Sequence, residues 1–176
     1  MIKFKKTYII FICLFFFSTL SYADNKIAYI DIDLILSQSN PSKSLFTQLK
    51  KVEEKNFKKL KNDEINLKDE ENKILSSKNI VSNEEYKKNV NNFKKKVNNY
   101  NQIKDQNIEN LKKIRNKEIL RFFDLIKPII EKIMDDNSID ILFEKKNIFI
   151  AKSNFDITQI VIDSINENIK EFKVSE

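Results

Sequence analysis

The sequence predicts an α+β fold, mostly α: a long antiparallel coiled-coil hairpin inserted between short terminal β-strands that form a small oligomeric β body. Three observations carry this. The chain has 176 residues with no Gly and two Pro, so little in it interrupts a helix. Its middle places apolar residues at seven-residue spacing. Both ends carry short runs rich in β-branched and aromatic residues.

The same composition excludes function classes. Without Gly there is no phosphate-cradling loop of the P-loop or dinucleotide kind. Without His there is no Ser-His or Cys-His catalytic pair and no His metal site. Charged residues make up 33% of the chain, which suits long helices better than a loop-rich enzyme. No enzyme and no cofactor are expected.

The N-terminus reads as an address. Lys3, Lys5 and Lys6 form a basic start, and Tyr8 to Phe17 is apolar. Ser21-Tyr22-Ala23 places small residues at the −3 and −1 positions of a cleavage site. Residues 1–23 are therefore read as a signal peptide cleaved after Ala23. An uncleaved anchor is the alternative, but the apolar run is short of the ~20 residues a spanning helix needs. Cys13 leaves with the signal, so the mature chain has no Cys. A Cys-free exported chain fits the bacterial periplasm.

Residues 26–33 read as the first strand. Ser39-Asn40-Pro41 reads as a helix start, with Pro at an early helical position. Leu60, Leu67 and Ile74 recur every seven residues; Phe46, Leu49 and Val52 extend that stripe upstream. Ser82 and Glu85 have capping-box spacing, so a second helix should begin at 83. Tyr86, Val90, Phe93, Val97 and Tyr100 follow the 4-3 spacing of a coiled-coil seam. Lys104 and Asn107 are read as breaking it, with the stripe resuming one position out of step at Ile108, Leu111 and Ile114. Pro128 should kink the returning helix and is a candidate hinge.

Ile139 to Phe143 and Ile148 to Ala151 read as two strands of a closing hairpin, with 144–147 as its turn. Asp156 followed by Gln159 resembles a helix cap before a C-terminal amphipathic helix. Residues 24–41 and 137–176 would then form the β-rich body, and 42–136 the arm. The body is small for an independent core, so oligomerisation should supply the missing burial. Its expected core, subunit interface included, is Ile27, Tyr29, Ile139, Ile141, Phe143, Ile148 and Ile150. Asp31 and Asp33, read on one strand face, suit capping better than catalysis.

Charge divides by zone. Residues 48–120 carry 19 basic and 12 acidic side chains, whereas the rest of the mature chain carries 10 and 14. Basic arms attract nucleic acid, anionic lipid or acidic polypeptide. Export removes nucleic acid from the expected partners and leaves anionic lipid as an open contact. Phe57-Lys58-Lys59 and Phe93-Lys94-Lys95 interleave aromatics with positive charge. They are candidate client contacts, set against the plainer reading of seam residues beside a solvated face. Phe93 fits the seam; Phe57 fits it less well.

The start Lys26 to Asp33 with Leu34-Ile-Leu and Ser39, and the end Ile139 to Glu144, Ile148 to Ala151 and Asp156 to Ile162, together resemble the Skp/OmpH family of periplasmic chaperones. The resemblance covers 26–170. It implies a homotrimer with a β body and three projecting arms around a cavity. It also implies an ATP-independent holdase for unfolded outer-membrane β-barrel proteins. No lipopolysaccharide-binding cluster can be matched residue by residue. The alternative of a different class is a structural coiled-coil protein of the cell envelope.

Overall fold

The structure, a computed structural model, describes residues 25–175. The expected signal peptide and Cys13 lie outside these residues. The elements run β1 (Ile27–Ile30), α1 (Ile32–Gln38), α2 (Asn40–Ser77), α3 (Asn83–Asp136), β2 (Ile141–Glu144) and α4 (Thr158–Asn168). Two 3₁₀ turns, Lys145–Asn147 and Ser153–Phe155, lie between β2 and α4.

β1 is shorter than the predicted strand because Asp31 stops it. The Asp31 carboxylate accepts the Leu34 N–H at 3.0 Å and so begins α1. The Asp31 N–H donates to the Thr158 hydroxyl at 2.9 Å. Asp31 and Asp33 therefore do not share a strand face: one caps α1 and the other sits in its first turn. The helix α1 itself was not expected from the sequence.

β1 pairs with β2 in parallel, in the register Ile27↔Ile141 to Ile30↔Glu144. The predicted closing hairpin is thereby corrected. Residues 148–151 form no strand, and Lys145–Asn147 closes as a 3₁₀ turn. The cause is that β2 finds its partner in β1, across the whole inserted arm.

The pleat sends Ala28 and Ile30 into the core, where they are 2% and 5% exposed. That core forms where α1, the lower parts of α2 and α3, and α4 meet. Ile35, Leu45, Phe122, Ile126, Val161 and Ile165 are all fully buried there. Phe172, from the segment after α4, stands edge-on to Phe122 with ring centroids 6.0 Å apart.

Above the core, α2 and α3 run side by side in opposite directions. The Arg115 guanidinium lies 5.7 Å from the centre of the Phe46 ring, and Lys96 bonds Glu70 at 2.6 Å. The helix starts follow the local code. Ser39 and Pro41 open α2, although the buried Ser39 hydroxyl caps nothing and has no partner. The Ser82 hydroxyl accepts the Glu85 N–H at 3.2 Å and opens α3. α3 passes through Pro128 without ending.

The seam between the arms keeps one register. Tyr86, Val90, Phe93, Val97, Tyr100, Asn107, Leu111 and Ile114 are half-buried, and Ile108 is 42% exposed. The expected shift at Ile108 is thus corrected: Asn107, Leu111 and Ile114 continue the frame of Tyr86 to Tyr100, while exposed Lys104 interrupts the seam as expected. In α2, half-buried Leu60, Leu67 and Ile74 alternate with half-buried Asp63, Glu70 and Ser77. Half of this stretch of seam is polar, which fixes register at a cost in stability.

Two substitutions separate core from surface. Phe122→Ala should lower stability by about 3–5 kcal/mol in urea unfolding, through cavity formation. Ile108→Ala should change it by less than about 0.5 kcal/mol, as an exposed position does. An equal loss at both would return Ile108 to the seam.

Candidate interaction surfaces

The first surface lies on the outer face of the β1–β2 pair. The register places Ile27, Tyr29, Ile141 and Phe143 on the face opposite Ala28. Ile27, Tyr29, Phe143, Ile148 and Ile150 surround a cavity of about 810 Å³. Of the expected body core, Tyr29 and Ile139 are buried within the single chain. Ile27, Ile141 and Phe143 are 41–44% exposed, Ile148 is half-buried, and Ile150 is 84% exposed. Phe149, which the sequence reading did not single out, is wholly in solvent. Its place in the apolar run Ile148 to Ala151 suggested a strand and hid its exposure.

An ion pair holds this surface to the body. Lys145 donates to the Asp31 carboxylate at 2.9 Å. That bond, then the Leu34 amide, holds the Asp31 carboxyl below the usual carboxylate range, and Asp31 in turn raises Lys145. The turn after β2 is thereby tied to the end of β1.

The second surface lies on the arms. Phe57 is 65% exposed, with Lys58 and Lys59 beside it in solvent. Phe93 is half-buried in the seam, and only Lys94 and Lys95 face water. The two aromatic-lysine motifs are therefore unlike. Ile65, Leu75, Ile80 and Leu120 are also exposed, Ile80 at the turn between the arms. Subtracting the 4-3 seam from the apolar residues would have found them. Pro128 is exposed on α3.

The third surface was missed entirely. Residues 170–175 follow α4 without regular structure, with a bend at Lys170, across the base of the arms. Gln48 of α2 donates to the Phe172 carbonyl and accepts the Val174 N–H, the latter at 3.1 Å. Ser44 donates to the same carbonyl at 3.1 Å. From α3, Arg121 stacks 4.5 Å from the Phe172 ring centre and donates to the Lys173 carbonyl. Arg121 also pairs at 2.6 Å with buried Glu118, which accepts the Ser175 hydroxyl. The only sequence signal is the spacing of Phe172 and Val174.

Among the described residues, no group of three or more acidic, His or Cys side chains could hold a metal ion. No described helix is long and apolar enough to cross a membrane.

The architecture defines a class: a small α/β body whose parallel strand pair is interrupted by a projecting pair of long helices. Residues 26–165 match the family model described as outer membrane protein (OmpH-like), and the chain belongs to that family. A solved structure described as a putative outer membrane chaperone (OmpH-like) from Caulobacter crescentus CB15 has the same fold, with a TM-score of 0.79. The two are 14% identical, over 86% of this chain and 89% of that one. Comparison with curated proteins finds no match.

The Asp31 cap yields a pH prediction. Asp31→Ala should cost about 0.5–2 kcal/mol at neutral pH through the lost cap. The folded pKa lies below the unfolded value of 3.8, so this contribution is full above 3.8 and fades as pH falls through the lower folded value. Urea midpoints of wild type and D31A should therefore differ near neutral pH and converge in strong acid. A constant gap would exclude the ionised cap.

Proposed function

We propose that the chain is an exported, ATP-independent holdase chaperone that shelters unfolded outer-membrane β-barrel proteins in the periplasm. The observation that carries the proposal is the set of large apolar side chains held in water on the arms. Phe57, Ile65, Leu75, Ile80 and Leu120 are 49–82% exposed and lie off the seam. Apolar surface that serves no internal packing marks contact with something else. Lysines surround it, Lys58 and Lys59 beside Phe57 among them.

Membership of the OmpH-like family supports a chaperone role, and the similar Caulobacter protein is described as a putative outer membrane chaperone. The mechanism follows from the surface. Many weak apolar contacts along an arm hold a client without imposing a fold. Lysines speed the capture of acidic chains and could also meet anionic lipid.

The assembly we infer is a homotrimer. Ile27, Ile141, Phe143, Phe149 and Ile150 form an apolar lip that a single chain leaves open. Burying it against other copies would add the core that the small body lacks. Residues 1–23 would act as the cleaved signal, the body would comprise 24–41 and 137–176, and 42–136 would form the arm. Pro128 remains the candidate hinge.

The test uses residues 24–176 and an acidic, urea-unfolded outer-membrane β-barrel protein, diluted into buffer without nucleotide. Light scattering should fall as the chain is added, saturate near three chains per client, and recover in part at higher salt. Combined substitution of Phe57, Ile65 and Leu75 by Ser should weaken suppression several-fold while the fold is kept. No suppression by folded oligomer would sink the holdase reading and favour a structural coiled-coil role. Separately, Phe149→Asp with Ile150→Asp should lower the mass measured by light scattering after gel filtration. An unchanged mass would place the subunit contact elsewhere.

A further inference from the structure

Residues 170–175 sit in their groove the way a ligand does. They belong to no helix or strand, and among the described residues their backbone makes no main-chain hydrogen bond. Side chains hold them instead. The Gln48 amide takes the carbonyl of Phe172 and the N–H of Val174, two residues apart, as a neighbouring strand would. Ser44 and Arg121 take carbonyls too. These contacts read main-chain groups two residues apart and are indifferent to the side chains they carry.

Two side-chain requirements are added. Phe172 fills an apolar slot against Phe122, closed above by the Arg121 guanidinium. Val174 enters half-buried, two positions on. The groove is also under-filled. A cavity of about 470 Å³ continues beside Val174 and Ser175 towards Val52 and Ile114. The family match ends at residue 165, so this segment lies outside what the family model covers.

We propose that the groove at the arm root is a docking site for an extended polypeptide carrying an aromatic residue and, two positions on, an aliphatic one. Residues 170–175 occupy it in cis. The incoming occupant is a segment of unfolded client, whose strands alternate in this way, and this part rests on the holdase reading above. Displacement leaves few groups stranded. Ser44, Gln48 and Arg121 meet an equivalent backbone in either state. The root of the arm then grips one strand of the client by its main chain, while the arm surface holds the rest loosely.

The experiment uses the chain 24–176 and a fluorescent peptide with the sequence of residues 169–175. Phe172→Ser should release the internal segment. Anisotropy should then show the peptide binding this variant at least about tenfold more tightly than wild type, because self-occupancy lowers apparent affinity. Adding Gln48→Ala should abolish that binding, and a peptide with Ser in place of its Phe should not bind. Excess unfolded client should displace the bound peptide. No binding to folded F172S overturns the proposal.

If F172S does not fold, hydrogen exchange on wild type decides. Excess peptide must speed exchange at the Val174 amide, and an unchanged rate overturns the proposal. Peptide that binds but resists client, beside normal suppression of aggregation by wild type, removes the client as occupant and leaves the holdase reading intact. Failure of wild type in the scattering assay sinks that reading instead, with peptide binding measured independently of it.

Discussion

The structure depends on one pairing. Four residues of β1 lie in parallel register with four of β2, and the whole arm separates them in sequence. Parallel strands cannot be joined by a tight turn, so they need a crossover that returns to its starting end. Here the crossover is α1, α2 and α3. α3 has 54 residues against 38 for α2, an excess of roughly 24 Å at the rise of an α-helix. That excess carries Phe122, Ile126 and Ile133 past the start of α2 into the core. The returning helix is therefore both arm and floor. It delivers the chain to Ile139 and β2 only because its lower turns are packed.

The division of apolar residues follows. Below, nearly every large side chain is shared among α1, α3, α4 and the strands. Above, two helices have only each other, and much of their seam is polar. The Glu70–Lys96 pair is exposed, and such pairs contribute little. The arms are consequently held in register more than they are held tightly. Long elements with few buried contacts open locally at low cost. On the holdase reading proposed above, that looseness would let the arm surface adapt its spacing to each client.

What the sequence made legible was local. Pro41 and the Ser82–Glu85 pair act within a turn of their own helices, so the starts at 40 and 83 could be read directly. The stripe Leu60, Leu67, Ile74 likewise needs only the helical period. Errors arose where distant chain decides. Ile32 to Leu36 is the exception, where the signal was local: the Asp31 carboxylate caps a helix three residues on, and buried Ile35 anchors it. Ile148 to Ala151 suits a strand and has no partner within the chain. Asn107 is polar, so periodicity discarded it, yet it lies on the frame of Tyr86 to Tyr100 and is half-buried. The Gln48–Phe172 contact spans 124 residues, and no local pattern announces it.

Glu118 shows why the arm root is built from polar as well as apolar groups. Its position continues the seam below Ile114, where Leu would pack and close the root permanently. A carboxylate in that place is costly unless partnered. Arg121 supplies one partner from its own helix, and Ser175 supplies another from the segment lying across it. If that segment leaves, water replaces the Ser175 hydroxyl and Arg121 remains. Glu118 is thus satisfied in both conditions, whereas a buried Leu would be exposed in one of them. The same holds for Gln48 and Ser44, which bond to water or to a backbone with similar ease. Phe172 alone strongly favours the closed condition. The groove is consequently polar on the sides that grip and apolar where Phe172 and Val174 enter.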